Sequence, residues 1–597
     1  MKKLYFSAIA ALFMGVAMTS CGDLLDTENK SNPLSDDEFF SANPQAMLTS
    51  AYSKLQGLAT QVEIYENGTD LYVNTRGRNG GELNEYTLNQ LNSTVSSFYS
   101  SLYSAINLAN GAMEYAGEGT KIADEAIFIR SYCYYLLSQH FGGVPYLTKY
   151  IKTSEREYPR VELSEVYANT IADLEGLYNN SKLEATDANH TGEASKQAVA
   201  ALLAKLYLAK AWDLSTSLSS AEEGTYSVSS TADFATAAQW AEKAINGVAL
   251  TLTPDQLWDP KNVGNQEEIF VVKYQREGFP GSVEDSGHSL QNDFGGYYGA
   301  CNTTGYKNVG SCNQQSLKSM YLFEKGDLRY EATYMTTMYN CSNAANWGTE
   351  GYYAYYNAPD KSKVGIGLRF FPYFATDADV KAEFNAKQAQ YTADGQVNNV
   401  ILTILSNPVK VYNVKNGKLQ SAQSYSVQEY NNMTNNGVCV RKFDDPQSAQ
   451  VTGKNDYRDV VVMRVADMYL VAAEAYLLAG QSQQALDKIN AVRQRAGLGA
   501  LSAFSAYAPK YTTNLKLNEL DLVLDERARE LYAENQRWMD LRRTKQLVRY
   551  NVEFNDYVGS AAAMKGQDGN YKWYRPIPQS SIDKNEAMSA ADQNPGY

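Results

Sequence analysis

Two pairs of alanine-rich segments constrain the fold of this chain more than any other feature of the sequence. The first pair is ASKQAVAALLAKLYLAKAW with FATAAQWAEKAING, and the second is VADMYLVAAEAYLLAG with SQQALDKINAVRQRAG, with a turn at Gly480. In each segment apolar residues recur with a period of about 3.6, which is typical of helices that bury one face. Small alanine side chains at the contact positions let two helices approach closely. Each pair is therefore predicted to form a helical hairpin.

The helical period dominates residues 41–250. In ADEAIFIRSYCYYLLSQHFGGVP, two glycines and a proline, Gly142, Gly143 and Pro145, are predicted to end the helix. One face of that helix carries Ile122, Ala126, Ile129, Cys133, Leu136 and His140. Hairpins with alanine at the contacts resemble tetratricopeptide (TPR) units, whose signature is incomplete here. We predict an N-terminal helical region with TPR-like packing and no regular repeat array.

The stretch from 251 to 460 has a different character, because it is aromatic and rich in Gly and Asn. Short strand candidates in it are EIFVVKY, NNVILTIL and GVCVRKF. Stretches such as GGYYGACNTTGYKNVGSC and NWGTEGYYAYYNAPD are too irregular for regular secondary structure. Long loops on a rigid scaffold commonly carry binding sites, so this central region is predicted to hold the ligand-binding loops.

Tyrosine is unusually abundant, with 46 Tyr against 19 Phe and 6 Trp. Its ring is flat and apolar, its hydroxyl is polar, and it loses little rotamer entropy on binding, which suits amphipathic ligands such as sugars. Any single tyrosine is more often part of the core or half buried at the surface. Composition therefore favours a recognition role without locating the site.

The amino-terminal segment has the pattern of an exported protein. Lys2 and Lys3 precede an apolar run that is too short to span a bilayer and that ends in MTSC. This ending resembles the bacterial lipobox, in which the cysteine becomes the first residue and is lipidated. We predict a lipoprotein signal peptide over 1–20, a lipid on Cys21 and a flexible anchored tether over 21–40. Early acidic residues in the tether resemble tags for the outer face of the outer membrane.

Composition also excludes several classes of function. A net charge of −14 and a pI near 5.0 argue against binding to nucleic acid and against direct adsorption on anionic lipid. The three histidines are scattered without zinc or haem spacing, so no cofactor is predicted, and a structural calcium ion is left open. Five cysteines remain after Cys21, which cannot all pair, although Cys301 and Cys312 could close a small loop.

Five sequence blocks together resemble the SusD/RagB family. They are EAIFIRSYCYYLLSQHFGGVPYLTK, RKFDDP, VVMRVADMYLVAAEAYLLAG, DERARELYAENQRWMDLRRT and the ending YRPIPQSSIDKNEAMSAADQNPGY. They occur in the family's order and are spread over essentially the whole chain. The resemblance implies a mainly α fold in which a TPR-like scaffold of helical hairpins carries long irregular loops and a few short β-hairpins. A C-terminal helical region, 461–597, is expected to pack on that scaffold.

The same resemblance implies a function. Family members are surface lipoproteins that capture nutrients, usually glycans, and work as lids on SusC-like TonB-dependent transporters in the outer membrane. The chain is therefore expected to capture oligosaccharide or polysaccharide without catalysis and to deliver it to such a transporter. In the RagB branch the cargo is peptides, and the sequence leaves that alternative open.

The resemblance also implies where ligand binds, namely on a shallow surface of loops whose aromatic rings stack on sugar faces while Asn and Arg bond the hydroxyls. We name the matching stretches the first (65–80), second (292–306) and third (346–357) binding segments. The first contains the Gly-rich loop RGRNGG, whose Arg76 or Arg78 could donate hydrogen bonds to sugar. The expected ligand-binding residues are Tyr72, Asn74, Arg78, Tyr297, Tyr298, Trp347, Tyr353 and Tyr356.

The charged block DERARELYAENQRWMDLRRT raises an alternative function for the chain, that of a surface glycoside hydrolase. Such an enzyme uses two carboxylates, for which Glu534 and Asp540 are the candidates. They lie on a predicted helix dense with Arg537, Arg542 and Arg543, so we interpret them as ion-pair partners and predict no catalytic residue. No Gly-x-Ser-x-Gly, Walker, HExxH or EF-hand motif occurs in the sequence.

Overall fold

A computed structural model describes residues 35–74, 80–275, 287–294, 313–340, 360–393, 400–432, 438–445 and 456–597. Most of the regular structure is helical, which confirms the predicted mainly α fold. The α-helices are α1 (Asp36–Ala42), α2 (Pro44–Ala59), α3 (Val62–Glu66), α4 (Gly81–Asn84), α5 (Ser93–Ala116), α6 (Lys121–Phe141), α7 (Leu163–Asn180), α8 (Lys196–Leu214), α9 (Ala232–Ile245), α10 (Pro254–Leu257), α11 (Leu290–Asp293), α12 (Leu317–Met320), α13 (Arg329–Thr333), α14 (Asp377–Ala386), α15 (Gln388–Tyr391), α16 (Val427–Asn432), α17 (Val465–Leu478), α18 (Ser482–Arg495), α19 (Glu519–Glu530), α20 (Arg537–Arg543), α21 (Leu547–Phe554) and α22 (Gln579–Asp583). The strands are β1 (Tyr72–Val73), β2 (Thr216–Ser220), β3 (Thr225–Val228), β4 (Glu268–Val272), β5 (Gln314–Gln315), β6 (Thr337–Asn340), β7 (Gly365–Phe371), β8 (Val400–Ile404), β9 (Val409–Lys415), β10 (Lys418–Leu419), β11 (Gln423–Tyr425) and β12 (Val460–Arg464).

Successive helices form one continuous layer in which each packs on the next. The order of contact is α2, α5, α6, α7, α8, α9, α17 and α18. The predicted alanine-rich hairpins are the pairs α8 and α9, and α17 and α18. Because α9 also packs on α17, the two hairpins belong to one stack although more than 200 residues separate them in sequence. The predicted TPR-like packing is confirmed.

Helix α6 begins and ends at residues that the sequence marks. The Thr120 side chain accepts a hydrogen bond from the Ala123 N–H and caps the amino end. Gly142 ends the helix with φ at 75°, a conformation that side chains with a Cβ rarely adopt. The Tyr574 ring lies over Gly142, at the distance where an added Cβ would touch it. The helix end therefore also docks the C-terminal tail.

The central region contains a six-stranded sheet with a small core of its own. The strand order is β10, β9, β8, β7, β6, with β11 also on β9, and the pairing is antiparallel except between β7 and β8. Helices α14 and α15 connect β7 to β8, and their buried residues Val380, Phe384 and Tyr391 pack on Leu402 and Tyr412 of the sheet. The other face of the sheet contributes to the main core, so the sheet is fixed to the scaffold.

Two of the three strand candidates in this region are correct. EIFVVKY contains β4, which pairs with β12, and NNVILTIL contains β8. The described part of GVCVRKF, residues 438–443, forms no strand, because in it only Val440 forms a bridge, with Tyr334. Lys442 of this segment is buried and donates hydrogen bonds to the Glu530 carbonyl and to the Glu534 carboxylate. Ion pairing, rather than the hydrogen bonds of a β-sheet, therefore fixes the segment.

The charged block DERARELYAENQRWMDLRRT folds as two helices, α19 and α20, and its charged side chains are buried rather than exposed. Between the helices Ala533 and Asn535 have φ values of 65° and 60° and reverse the chain. Burying so many charges is unfavourable unless each has partners of opposite charge and satisfied hydrogen bonds. The packing around these helices must therefore supply those partners.

Glu530 lies at the centre of the largest ion cluster. Its carboxylate accepts hydrogen bonds from Arg464 (2.7 Å), Arg329 (3.3 Å) and Arg495. Burial raises the pKa of Glu530, but the positive charges of these guanidiniums outweigh that effect and hold it well below its usual value. The three arginines come from three different helices or strands, so one carboxylate joins α13, β12 and α18 to α19.

A second buried cluster joins segments that are even farther apart in sequence. The Lys318 ammonium lies between the carboxylates of Asp70 (2.8 Å) and Asp525 (3.0 Å), and Arg537 donates two further hydrogen bonds to Asp70. The side chains of Asp70, Lys318 and Asp525 are fully buried. This cluster fastens the segment before β1 to the central region and to the C-terminal helices.

We predict that Glu530→Gln destabilises the protein strongly. The substitution keeps the shape of the side chain but removes the negative charge that Arg329, Arg464 and Arg495 share, so that Arg464 and Lys442 are left with one carboxylate, Glu534, between them. Removing one partner of a buried ion pair typically reduces the free energy of unfolding by about 3–5 kcal/mol. The matched control is Glu114→Gln, which removes the exposed ion pair with Lys152 (2.9 Å) and should reduce it by less than about 1 kcal/mol. Urea unfolding followed by circular dichroism measures both, and equal losses would contradict the prediction.

Candidate functional site

The short ladder between β1 and β5 brings two of the predicted binding segments together. Val73 pairs with Gln314 and Tyr72 with Gln315, in antiparallel register. The residues that lead into 75–79 and the residues that follow 295–312 are therefore neighbours, although about 240 positions separate them in sequence. The expected binding residues Arg78, Tyr297 and Tyr298 belong to these two stretches and lie outside the described residues.

Tyr72 does not occupy the exposed position that stacking on a sugar requires. Its side chain is only 2% exposed, and its hydroxyl accepts a hydrogen bond from the Ala533 N–H (2.9 Å). Its ring packs against the rings of Phe294 and Tyr532. The prediction that Tyr72 contacts ligand is therefore corrected: Tyr72 supports the base of the first and second binding segments from the core.

Asn74 is half buried, and its main chain is fixed by a residue that sequence reasoning missed. The Asn74 N–H donates to the Tyr557 hydroxyl (2.8 Å), which donates in turn to the Asn74 carbonyl (2.9 Å). The Tyr557 ring also lies against Gly80, where a Cβ would be 2.7 Å from ring carbons. Tyr557 thus contacts the residues on both sides of 75–79. Because Tyr557 is far from these residues in sequence, no local sequence pattern indicates this role.

The ends of the second binding segment are joined in a similar way. The Asn313 N–H donates to the Asp293 carbonyl (3.1 Å), so the residues on either side of 295–312 are in contact. Phe294 is buried and stacks on Phe443 with ring centroids 5.5 Å apart. Burial raises the pKa of Asp293 to about 6, and the Ser289 hydroxyl donates to its carboxylate (2.7 Å). Buried contacts therefore fix this base.

The third binding segment leaves from a different sheet. Its neighbours in sequence are β6 and β7, which form an antiparallel pair that ends at Asn340 opposite Gly365. The described residues therefore do not bring this segment beside the ladder of β1 and β5. Its expected binding residues Trp347, Tyr353 and Tyr356 lie outside the described ranges, as do Arg76, Cys21, Cys301 and Cys312.

The proposed glycosidase carboxylates are both ion-pair partners in the core. Glu534 lies 2.6 Å from the Lys442 Nζ and 2.6 Å from the Arg464 Nε, and Asp540 bonds Arg527 (2.7 Å) and Arg543 (2.8 Å). Burial raises the pKa of Asp540, but the positive charges of the two guanidiniums outweigh burial and keep the pKa below its usual value. A general acid of a glycosidase needs a pKa above the usual value. Glu534 borders a cavity of about 30 Å³, which holds one water molecule and no sugar.

Across the described residues, no group of three or more His, Cys, Asp or Glu side chains is arranged to hold a metal ion. Within the same ranges, no helix combines the length and the apolar character needed to cross a bilayer.

Comparison with known families decides the relationship that the sequence blocks suggest. A family model described as the SusD family matches residues 267–597, which is more than half of the chain. This chain belongs to the SusD family. A second model, described as starch-binding associating with outer membrane, matches residues 23–208. Neither description names a catalytic activity. The resemblance seen in the sequence is confirmed.

Known proteins are similar to this chain over almost its whole length. SusD-like protein P2 of Formosa agariphila is 24% identical over 627 aligned positions, covering 100% of both chains. The structure of Bacteroides fragilis NanU superposes with a TM-score of 0.62 at 17% identity, over 95% of this chain and 99% of that one. Surface glycan-binding protein A of Bacteroides thetaiotaomicron, solved with laminarihexaose, has a TM-score of 0.59 at 16% identity, over 93% and 99%. The fold is therefore that of the SusD superfamily.

Near the start of the first binding segment, Glu66 is buried at the end of α3 in an unusual state. Its Oε1 accepts a hydrogen bond from the Asn535 N–H (2.7 Å), while its Oε2 is buried and has no hydrogen-bond partner. Burial raises the pKa of Glu66 to about 8 and outweighs the hydrogen bond from Asn535, which lowers it. At neutral pH the folded protein therefore holds a proton on Glu66 that the unfolded chain releases.

We predict that Glu66→Gln makes the stability less dependent on pH. Because the pKa of Glu66 is raised in the folded protein, the bound proton stabilises the fold fully below about pH 4.5. That contribution to the free energy of unfolding is lost as the pH rises to about 8, at on the order of 1.4 kcal/mol per pH unit. The free energy of unfolding of the variant minus that of the natural protein should therefore increase between pH 5 and pH 8. Glu118→Gln, at an exposed position after α5, provides the control and should change the pH dependence far less. A flat difference for Glu66→Gln would contradict the prediction.

Proposed function

We propose that this chain is a cell-surface lipoprotein that captures oligosaccharide or polysaccharide and delivers it to a SusC-like TonB-dependent transporter in the outer membrane. The observation that carries the proposal is membership of the SusD family, combined with a second match to a starch-binding, outer-membrane-associated model. Together the two models match residues 23–208 and 267–597, on both sides of the chain's midpoint.

The geometry of the site supports capture rather than catalysis. The first and second binding segments start from neighbouring strands, and Tyr72, Tyr557 and Phe294 fix their bases with buried contacts. A fixed base lets loops of variable sequence present aromatic rings to sugar faces. Few stacking contacts on an open surface give weak binding, on the order of micromolar or weaker, which allows release to a transporter.

The position of the first described residues supports tethering at Cys21. Helix α1 is held against the body of the protein, where the Asp37 carboxylate bonds the Lys152 ammonium (2.9 Å) and accepts from the Tyr115 hydroxyl. The stretch between Cys21 and α1 is short, and fully extended it would reach at most about 50 Å. A lipid on Cys21 would therefore keep α1 within about 50 Å of the membrane surface.

We predict that the natural protein is retarded by at least one neutral polysaccharide in native gels and releases no sugar from it. Laminarin and starch are the first to test, because one structural relative was solved with laminarihexaose and one family description names starch. Trp347→Ala and Tyr353→Ala should each weaken binding about tenfold, since each removes a stacking ring worth more than about 1 kcal/mol. Isothermal titration with the retarding polysaccharide measures the change.

The matched control is Tyr425→Ala, which removes a half-buried tyrosine on β11, outside the three binding segments. It should leave the affinity unchanged. Retardation by none of the polysaccharides, with binding of peptides instead, would replace glycan by peptide as the cargo. Release of reducing sugar would contradict a purely binding role.

We predict that Cys21→Ala abolishes anchoring. Without the cysteine there is no site for the lipid, so the variant should not incorporate labelled palmitate and should leave the membrane fraction. The control is Cys133→Ala, since Cys133 is a buried free cysteine of α6 and should not affect labelling. Palmitate label that persists in Cys21→Ala would overturn the assignment of the anchor.

A further inference from the structure

A groove of about 420 Å³ lies between the α6–α7 connection and the C-terminal tail, away from the three binding segments in sequence. Its walls come from 142–143, 160–163, 571–574 and 591–595. Two other cavities in the described part of the chain, of about 30 and 20 Å³, each hold no more than a water molecule. The groove falls within the range of small-molecule sites, and nothing in the proposed function uses it.

Aromatic side chains form one side of the groove. Trp573 is half buried, and the Tyr571 ring meets it at 65° with centroids 6.3 Å apart, so the two rings form adjoining walls rather than a closed stack. Tyr571 is held in place because its hydroxyl donates to Glu222 (3.0 Å) and the Lys565 ammonium lies 4.5 Å from its ring centre. The groove therefore has an aromatic wall that is in place before any ligand arrives.

The opposite side of the groove is polar and equally fixed. The Arg160 guanidinium donates to the carbonyls of Gly143 (2.7 Å) and Asp592, and to the Asn594 side chain (2.6 Å). These bonds tie the segment before α7 to the C-terminal tail. The Glu162 side chain is exposed and caps no helix N–H in the described structure, so its carboxylate is available to a ligand.

We propose that this groove is a second carbohydrate site, in which one or two neutral sugar residues stack on Trp573. A pyranose presents a sheet of C–H bonds to an aromatic face, while the Glu162 carboxylate can accept hydrogen bonds from its hydroxyls. Asp592 can do so through Oδ1, since its Oδ2 accepts from the N–H and the hydroxyl of Ser589. Glu162 and Asp592 outnumber the positive charge of Arg160 in the lining, and the resulting net negative charge disfavours acidic sugars. The proposal rests on the proposed glycan-binding function and adds a second point of attachment for the same polymer.

Fluorine NMR of protein labelled with 5-fluorotryptophan tests the proposal, because the chain has six tryptophans and each gives its own resonance. Trp573→Phe assigns the resonance of Trp573. The probes are laminarihexaose, maltohexaose and the hexasaccharides of mannose, galactose and xylose. At least one should shift the Trp573 resonance saturably, whereas the resonances of the fully buried Trp212 and Trp538 should not move. An oligomer of glucuronic acid should leave Trp573 unchanged.

The same spectra separate this proposal from the proposed function, because Trp347 belongs to the third binding segment. A shift of Trp347 without any shift of Trp573 would overturn the second site and leave glycan capture by the loops intact. A shift of Trp573 alone would support the groove and count against the loops. No shift of Trp573 with any neutral probe, or an equal shift with the acidic oligomer, overturns the proposal.

Discussion

The ion cluster of Asp70, Lys318, Asp525 and Arg537 is the interaction on which the rest of the fold depends. It joins the segment before β1, the central region and the C-terminal helices through charges that are removed from water. Two desolvated charges of opposite sign gain little over an apolar pair in stability, but an unpaired buried charge is very unfavourable. The cluster therefore forms only when all three distant segments are in register. We infer that it selects the native topology rather than supplying most of its stability.

That register also positions the binding segments. Asp70 lies two residues before Tyr72, and the Ser319 hydroxyl, beside Lys318, donates to the Leu71 carbonyl (2.6 Å), so the cluster holds β1 next to β5. The Ala533–Asn535 turn then completes the base through Tyr72 and Glu66. The proposed binding loops could change sequence freely as long as this buried base is kept. In the proposed function, binding specificity and folding would thus be assigned to different residues.

The sequence predicts the helices well and the burial of polar residues poorly, for a physical reason. The 3.6 period and the glycine at 142 are local signals, and α6, α8, α9, α17 and α18 follow them. The block DERARELYAENQRWMDLRRT shows apolar positions at helical spacing too, yet the partners of its charges, such as Arg464 and Asp70, lie far away in sequence. Tyr72 shows a related limit, because a tyrosine at this position suits a core and a sugar-binding face equally well. Only contacts between residues far apart in sequence decide whether such a charged residue or tyrosine is buried or exposed.

Two weak sites on one molecule would serve transport better than one strong site. A long glycan that occupied both the proposed loop site and the proposed groove would bind with an effective concentration set by the polymer between them, so its apparent affinity would exceed that of either site. Each contact would still break quickly, because each would depend on few stacking rings. A short product of degradation would reach only one site and dissociate more readily. Retention would then depend on chain length, and release to a transporter would require no change in the rigid, ion-paired base.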